Sequence, residues 1–309
     1  MTIEELNQVG FAGEMDEFIR VCEARQIKAL SHIADDICSR RGVRLVLLAG
    51  ASSAGKTTTA TRLCTQLRVN GLTALHFSTD DYFVGDDRNP RDAEGKLDYE
   101  HVECVDIARL AADVNRLLAG EAVHLRHFDF TRHEGYDADA ATAIAPGGFI
   151  VIEGIHALNP RLTEGIAENC KYRPFVEPRP RLELFMDVRL GSADQRFLRR
   201  LVRDRQFRKI DPLSTYERWP SVLAGEKRWI EPFRSQADTL FDSGLDYELA
   251  VLKPYVLGLL ALIRRKVTGD ARLDTLYELL ETVEAVPPVA VPGDSILRET
   301  IGSSQLEYV

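Results

Sequence analysis

Residues 43–58 read VRLVLLAGASSAGKTT and contain the strongest structural signal in the chain. The first half is a short apolar run between Gly42 and Gly50, which is typical of a buried parallel strand. The second half, from Gly50 to Thr57, matches the pattern GxxxxGK(S/T) without a gap. A helical pattern follows from Lys56 to Val69, so the stretch predicts a strand, a tight loop and a helix in succession.

The loop in this stretch is expected to bind the phosphates of a nucleoside triphosphate. Glycines let backbone N–H groups turn toward the phosphates, and the following helix offers its positive N-terminal end. Lys56 is expected to reach the β- and γ-phosphates, and the Thr57 hydroxyl to ligate Mg²⁺. The alternative is an incidental glycine-rich turn, which the flanking strand and helix disfavour. The residues expected to bind ATP are Gly50, Ala51, Ser52, Ser53, Ala54, Gly55, Lys56, Thr57 and Thr58.

Strands and helices alternate along the rest of the chain. Apolar runs predict further strands at 72–79, 149–155 and 182–188, and helical spacing predicts helices at 14–40, 105–118, 193–207 and 215–241, the last broken at Pro220. This alternation predicts an α/β fold of the P-loop NTPase type, with a mostly parallel sheet and helices on both faces.

Composition excludes several classes of protein. The 309 residues include 39 Lys and Arg against 48 Asp and Glu, and this net charge of −9 disfavours general binding to nucleic acid. Five scattered cysteines without a CxxC pair favour reduced thiols and argue against disulfides or a zinc site. The chain starts without a signal-peptide pattern, and its longest apolar run, near 255–263, is too short to span a membrane. We therefore predict a cytoplasmic protein that binds neither nucleic acid nor membrane.

Two acidic residues follow predicted strands. Asp80 comes directly after the second strand, and Glu153 ends the third. Parallel α/β sheets place their chemistry at the carboxyl ends of the strands, where a carboxylate can accept a proton from an attacking hydroxyl. We expect Asp80 to act in this way, and Thr57, Asp80 and Glu153 to hold Mg²⁺. For either acid alone, the alternative is a solvated strand end.

One predicted helix carries a cluster of positive charge. Its arginines recur at i, i+3, i+4 and i+7 and therefore share one face, opposite an apolar face. They are Arg196, Arg199, Arg200 and Arg203, and Arg205, Arg208 and Lys209 extend the cluster. In an acidic protein this concentration indicates a local anion, and the alternative is a salt-bridged surface helix.

Taken together, these segments resemble the uridine kinase and phosphoribulokinase group of P-loop kinases. The matching segments are GASSAGKTT, STDDYF, DYEHVECVD, HFDFTRH, VIEGI and RRLVRDRQFR, in the family's order over about residues 43–245. The N-terminal helix and the tail DSILRETIGSS look most like the bacterial uridine kinase-like nucleoside kinase branch. The resemblance implies a helical extension at 1–42, a kinase domain at 43–250, and C-terminal helices with an extended tail at 251–309, packed on the kinase domain.

The resemblance also implies roles for individual residues. Asp80 would be the base that faces the 5′-hydroxyl of a nucleoside, Glu100 would grip the ribose, Phe128 would stack on the base, and His133 would read the pyrimidine edge. The arginine helix would close over ATP as a lid. The implied catalytic residues are Lys56, Asp80, Arg200, Arg203 and Arg208, and the implied substrate-binding residues are Asp80, Tyr82, Glu100, Phe128, His133 and Arg203.

Three functional hypotheses follow. The first is an ATP-dependent uridine or cytidine kinase of nucleoside salvage, acting as a homo-oligomer. The second is a sugar-phosphate kinase of the phosphoribulokinase type, because Arg218 stands where the uridine kinase pattern has glutamine and could hold a phosphate on the acceptor. His133 and Phe128 favour a base instead. The third is a nucleotide-dependent regulatory or RNA-binding module, which the net negative charge disfavours.

Overall fold

The computed structural model describes residues 1–92, 95–130, 132–179 and 190–307, and the strand predicted at 182–188 lies outside them. The helices are α1 (Ile3–Phe11), α2 (Met15–Ser39), α3 (Lys56–Val69), α4 (Ile107–Leu118), α5 (Ser192–Phe207), α6 (Pro212–Trp229), α7 (Glu231–Arg234), α8 (Glu248–Arg264), α9 (Ala271–Thr282) and α10 (Arg298–Ile301). The strands are β1 (Leu45–Leu48), β2 (Ala74–Ser78), β3 (Arg126–Asp129), β4 (Glu134–Asp137), β5 (Phe149–Glu153), β6 (Lys171–Tyr172), β7 (Pro174–Glu177) and β8 (Thr239–Asp242).

A parallel sheet organises these elements. β1 pairs with β5 on one side and β6 on the other, and β2 pairs with the far side of β5, all in parallel. A parallel bridge between Ala49 and Phe175 places β7 beside the end of β1, and β7 pairs in parallel with β8. The loop that starts at Gly50 therefore leaves the centre of the sheet at its carboxyl edge.

Helices cover the central sheet on both faces, which confirms the predicted α/β fold. Side chains along β1 alternate between the two faces. Leu45 and Leu47 pack with Val114 of α4 in one buried cluster, whereas Val46 and Leu48 lie in a second cluster that contains residues of α2 and α3. Every residue of β1 and β5 is buried, as expected for parallel strands covered on both sides.

The elements near residue 220 differ from the sequence prediction. The helix predicted at 215–241 ends earlier, because α6 stops at Trp229 and residues 239–242 form β8. Pro220 does not break α6; it lies on the exposed side of the helix, where water can satisfy the carbonyl left without a donor. In β8 the side chain of Phe241 is buried against the sheet while Leu240 is partly exposed, which is the alternation of a strand.

The two ends of the chain meet in a third buried cluster. Leu6 of α1 and Ile19 of α2 pack with Leu198 of α5, Leu252 of α8 and Leu276 of α9. The segments predicted at 1–42 and 251–309 are therefore in contact with each other as well as with α5, while the division into domains stays a prediction. In the described ranges, every helix is too short or too polar to cross a membrane.

A buried ion pair joins α5 to α8. The guanidinium of Arg199 contacts the carboxylate of Glu248 through Nε and through Nη2, the latter at 2.7 Å from Oε2, and both side chains are almost fully buried. Nη2 also donates to the carbonyl of Ser243 at 2.8 Å. Removing one member of such a pair leaves the other charge buried without compensation.

We expect Glu248→Gln to lower the free energy of unfolding by about 3–5 kcal/mol, because the Arg199 charge loses its partner. Urea denaturation monitored by circular dichroism measures this. Glu278→Gln, the same change at an exposed position of α9, serves as the control and should cost no more than about 0.5 kcal/mol. An equal decrease in the free energy of unfolding in both variants would show that the Arg199–Glu248 pair does not stabilise the fold.

Candidate active site

The loop from Gly50 to Thr57 is tightly enclosed by neighbouring elements. A Cβ on Gly50 would collide with the carbonyl oxygen of Val176 in β7. Ser53 and Gly55 have left-handed backbone conformations, with φ of 61° and 87°. α3 begins at Lys56, so the helix N-terminus with its free N–H groups faces the loop. These features match a loop that wraps its backbone around phosphates.

Cationic side chains contact this loop from two directions. Lys56 Nζ lies 3.3 Å from the carbonyl oxygen of Ala51. From α5, Arg200 Nη1 donates to Ser52 Oγ at 2.9 Å and Arg196 Nη1 donates to the Ser52 carbonyl at 3.2 Å. The arginine-rich helix therefore lies directly against the loop, next to the place where the phosphates of ATP are expected.

The arginines of α5 divide into two groups. Arg196 and Arg199 are buried. Arg196 forms an ion pair with Glu226 and Arg199 with Glu248, so the charges of both arginines are neutralised inside the protein. The second group, Arg200, Arg203 and Arg208, surrounds the carboxylate of buried Asp204 at 3.3, 3.6 and 3.4 Å. The Nε atom of Arg203 is buried and makes no hydrogen bond to any described residue, and the buried Nε of Arg200 has the 3.3 Å ion-pair contact with Asp204 Oδ2. Burial and the neighbouring arginines lower the pKa of Arg208 to about 10.

Two carboxylates meet at the carboxyl edge of the sheet. In the pairing of β2 with β5, Ser78 lies opposite Glu153. The Ser78 hydroxyl accepts a hydrogen bond from the backbone N–H of Asp80 at 3.1 Å, which begins the 3₁₀ helix Thr79–Tyr82. Gly154 lets this helix approach β5, because a Cβ there would collide with Thr79. Asp80 is thus held beside Glu153 by local backbone geometry.

Burial changes the proton affinity of both carboxylates. It raises the pKa of Glu153 to about 7, and the positive charge of Lys56 partly opposes this. It also raises the pKa of Asp80, against the attraction of Lys56 and Arg208. A base with a raised pKa is better matched to accepting a proton near neutral pH.

The oxygen atoms in this region suit Mg²⁺. Thr57 Oγ1 donates to Glu153 Oε1 at 3.1 Å, and hydroxyl and carboxylate oxygens are the hard ligands that Mg²⁺ prefers. Within the described ranges, no cluster of three or more His, Cys, Asp or Glu could hold a metal. With phosphates supplying the remaining oxygens, Mg²⁺ would be held by Thr57, Asp80 and Glu153. Bound there, Mg²⁺ would offset negative charge on the phosphates.

Glu100 borders the same site from the loop that precedes α4. Its Oε2 atom is buried and has no hydrogen-bond partner among the described residues. Burial raises its pKa to about 7, while Arg200 and Lys56 oppose the increase. Gly225 of α6 provides the space, because a Cβ there would collide with Glu100. Glu100 therefore has an unused acceptor atom within electrostatic reach of the phosphate loop.

The hairpin formed by β3 and β4 contains Phe128 and His133. Phe128 is buried and packs edge-on against Phe83 and Phe130, with ring centroids 5.9 and 5.0 Å apart. His133 has a left-handed backbone with φ of 56°, and its Nδ1 lies 3.2 Å from Asp86 Oδ1. The hairpin is thus joined to the loop that follows Asp80.

Comparison with known proteins agrees with this arrangement. The model of the Phosphoribulokinase / Uridine kinase family matches residues 45–250. The chain belongs to this family. It is therefore an ATP-dependent phosphotransferase, and the predicted resemblance is confirmed.

Individual relatives are similar over the same region. A protein of Deinococcus deserti named uridine kinase is 30% identical over 198 residues, which cover 64% of this chain and 86% of that protein. One of Chloroflexus aurantiacus, also named uridine kinase, is 27% identical over 201 residues, covering 65% and 87%. A crystal structure from Silicibacter sp. TM1040, described as a fructose transport system kinase, is 20% identical with a TM-score of 0.48 and covers 68% of this chain and 98% of that one.

Tyr82, which was predicted to bind the acceptor, has its hydroxyl engaged inside the protein. Its side chain is fully buried, and its hydroxyl donates to Asp113 Oδ2 of α4 at 3.1 Å. Contact with a substrate would require that hydrogen bond to open. In this position Tyr82 anchors the 3₁₀ helix that carries Asp80, and its predicted role as a substrate-binding residue stays untested.

Sequence reasoning missed three residues near this site. Asp204 follows Arg203 directly and lies four residues after Arg200, so helical spacing could have indicated it. His156 is buried, with both ring nitrogens unpartnered among the described residues, and burial lowers its pKa to about 4. Glu299 contacts Thr58 across 241 positions of sequence, a pairing that no local pattern predicts.

The raised pKa of Glu100 has a consequence for stability. The carboxyl stays protonated in the folded protein between its unfolded value of 4.5 and about 7. The contribution of this carboxyl to the free energy of unfolding is therefore fully present below pH 4.5 and is lost as the pH rises through 7, because the folded protein then has to hold the charged form. Relative to Glu100→Gln, we expect the wild-type free energy of unfolding to fall by on the order of 2–3 kcal/mol between pH 4.5 and pH 8.

Urea denaturation of both proteins across this pH range measures the difference. Glu153 titrates in both proteins, and the comparison reports Glu100 together with its electrostatic interaction with Asp80. Parallel stability curves for wild type and Glu100→Gln would contradict the raised pKa.

Proposed function

We propose that this kinase transfers the γ-phosphoryl group of ATP to the 5′-hydroxyl of a nucleoside, with uridine or cytidine preferred. The observation that carries the proposal is the pair of half-buried carboxylates, Asp80 and Glu100, which interact electrostatically with each other and with Lys56. Asp80 suits a reacting hydroxyl, and the unpaired Oε2 of Glu100 suits sugar hydroxyls that donate hydrogen bonds. Relatives named uridine kinase support the same acceptor class.

Asp80 acts as the general base in this proposal. The hydroxyl oxygen of the acceptor forms a bond to the γ-phosphorus, the bond from that phosphorus to the bridging oxygen breaks, and the hydroxyl proton passes to the Asp80 carboxylate. ADP leaves as the second product. The hydrogen bond from the Asp80 N–H to Ser78 Oγ fixes the backbone of the base, so little reorganisation is needed during the reaction.

Arg200, Arg203 and Arg208 stabilise the charge on the transferring group. Guanidinium groups stay charged and can bind phosphate oxygens through two donors at once. Asp204 keeps these three like charges close together on α5, which would otherwise repel each other. Because α5 already packs against the phosphate loop, it would shield bound ATP from water and limit wasteful hydrolysis without closing as a lid.

Residues of the β3–β4 hairpin favour an acceptor that carries a nucleobase. The edge-on cluster of Phe83, Phe128 and Phe130 offers an apolar aromatic surface, and the His133 ring offers nitrogen atoms for hydrogen bonding. Asp86 accepts a hydrogen bond from the Tyr99 hydroxyl at 3.0 Å and also contacts His133, so the ring is held in one orientation.

A sugar-phosphate acceptor is the second candidate. Arg218 is exposed on α6 and its charge acts on the hydroxyl of Tyr99, so it lies on the acceptor side. An arginine there could bind a phosphate on the acceptor. We keep the nucleoside as the first candidate because Asp86, which accepts from Tyr99, also contacts the His133 ring that could bind a base.

Compartment and assembly belong to the same proposal. We place the enzyme in the cytoplasm, in nucleoside salvage and as a homo-oligomer. All five cysteines lie in described ranges and form no disulfide, which supports a reducing compartment.

We expect Asp80→Asn to lower kcat by roughly 10²–10⁴, because an amide cannot accept the hydroxyl proton. Steady-state assays of ADP release with Mg²⁺ and uridine measure this. Asp87→Asn, the same change at an exposed position of the same loop, should keep kcat within a factor of about two. Near-normal turnover by Asp80→Asn would remove Asp80 from the role of base.

The acceptor is tested by ADP release across nucleosides, pantothenate and ribulose 5-phosphate, against a blank without acceptor. We expect the highest kcat/KM with uridine or cytidine, and a loss of roughly 3- to 10-fold in His133→Ala for these acceptors only. Arg218→Ala should leave pyrimidine turnover unchanged. Preferred turnover of ribulose 5-phosphate that is lost in Arg218→Ala would instead establish the sugar-phosphate reading.

A further inference from the structure

The C-terminal segment 291–302 packs on the phosphate loop. Ile296 and Leu297 are buried, and a Cβ on Gly55 would lie only 2.7 Å from Ile296 Cγ2. Arg298 stabilises the turn of this segment by donating to the carbonyls of Pro288 and Val291 at 2.8 and 2.6 Å. The segment is therefore an ordered part of the structure that packs against the phosphate loop.

Glu299 of this segment contacts both halves of the ATP site with one carboxylate. Oε2 accepts a hydrogen bond from Thr58 Oγ1 of α3 at 3.1 Å, and Thr58 is fully buried. Oε1 lies 3.9 Å from Arg203 Nη1 of α5. Thr58 belongs to the phosphate-loop helix and Arg203 to the arginine-rich helix, so Glu299 connects the two elements.

The two contacts differ in kind. The contact to Thr58 has the length of a hydrogen bond, whereas 3.9 Å to Arg203 is an ion-pair distance at which no hydrogen-bond donor is used. Arg203 is also attracted to Asp204 at 3.6 Å. Two carboxylates thus orient the guanidinium by charge, and its donors stay available for phosphate oxygens.

Glu299 lies outside residues 45–250, the part of the chain that the family model matches, whereas Thr58 and Arg203 lie inside it. Glu299 therefore adds to the family's common catalytic region a residue from elsewhere in the chain.

We propose that Glu299 is a positioning residue of the ATP site, which holds Thr58 and Arg203 in a fixed relation before ATP binds. A site aligned in advance loses less conformational freedom on binding and reaches the reactive geometry more often. Glu299 thus acts through two other residues on nucleotide affinity, by way of Thr58, and on turnover, by way of Arg203.

Substitutions at Glu299 separate these two effects. Glu299→Ala removes both contacts, and we expect the Kd for ADP to rise and kcat to fall, each by roughly tenfold. Glu299→Gln keeps an oxygen that can accept from Thr58 but loses the charge that attracts Arg203. We therefore expect it to restore the Kd for ADP to within about twofold of wild type while kcat stays low.

Calorimetry with ADP and no acceptor gives the Kd, so this readout is independent of the acceptor and of the proposed nucleoside kinase activity. Glu307→Gln, the same change at an exposed position of the same tail, is the matched control and should bind ADP like wild type. In a Thr58→Val background, Glu299→Ala should weaken ADP binding no further, because the contact through which it acts is already absent.

Two results would overturn the proposal. One is wild-type ADP affinity and turnover in Glu299→Ala; if the unfolding temperature of that variant is lowered as well, Glu299 has only a packing role. The other is additive weakening of ADP binding in the Thr58→Val background.

Discussion

The parallel register of β1, β5 and β2 is the constraint that brings the groups proposed for catalysis together. Leu48 lies opposite Glu153, and Glu153 lies opposite Ser78, so the three strands end at the same level of the sheet. The phosphate loop follows β1, Glu153 ends β5 and Asp80 follows β2. A shift in register by one residue would turn Glu153 to the other face of the sheet and separate it from Thr57.

Charge in this site is concentrated and balanced locally. Lys56 and the arginines of α5 offset the buried carboxylates, whose pKa values burial raises. Without phosphates, Asp204 and Glu299 partly neutralise the arginines, which keeps like charges close together on one helix. An acidic protein can in this way present a strongly cationic surface at one place, where an anionic substrate is needed.

Both ends of the chain support the phosphate-loop helix from behind. Arg62 of α3 donates to Gln26 of α2 at 3.2 Å and pairs with buried Glu23. Glu23 in turn accepts a hydrogen bond from the Tyr247 hydroxyl at 2.6 Å. The C-terminal segment contacts the same helix through Thr58. The contacts of Arg62 and Glu23 are buried, where a hydrogen bond is worth more than on the surface because water does not compete for it.

Local patterns were sufficient for much of the fold and for part of the site. Apolar runs predicted β1, β2 and β5, and helical spacing predicted α2, α3 and α5, because side-chain periodicity is a property of neighbours in the chain. The position of Asp80 and Glu153 after strands was enough to expect them at one edge of a parallel sheet. The helix predicted across Pro220 to residue 241 was wrong at its end, since burial of Phe241 beside β7 stabilises a strand there.

Sequence periodicity placed four arginines on one face of α5, but it contained no information about what that face touches. Ion pairs with Glu226 and Glu248 show that Arg196 and Arg199 stabilise the fold, while Arg200 and Arg203 lie beside Asp204 and are the two that we propose for phosphate binding. The link from Glu299 to Thr58 likewise arises only when the chain has folded. A motif can be recognised from adjacent residues alone. The partner of a buried charge depends instead on which distant segment packs against it, because that segment both removes water from the charge and supplies the opposite charge.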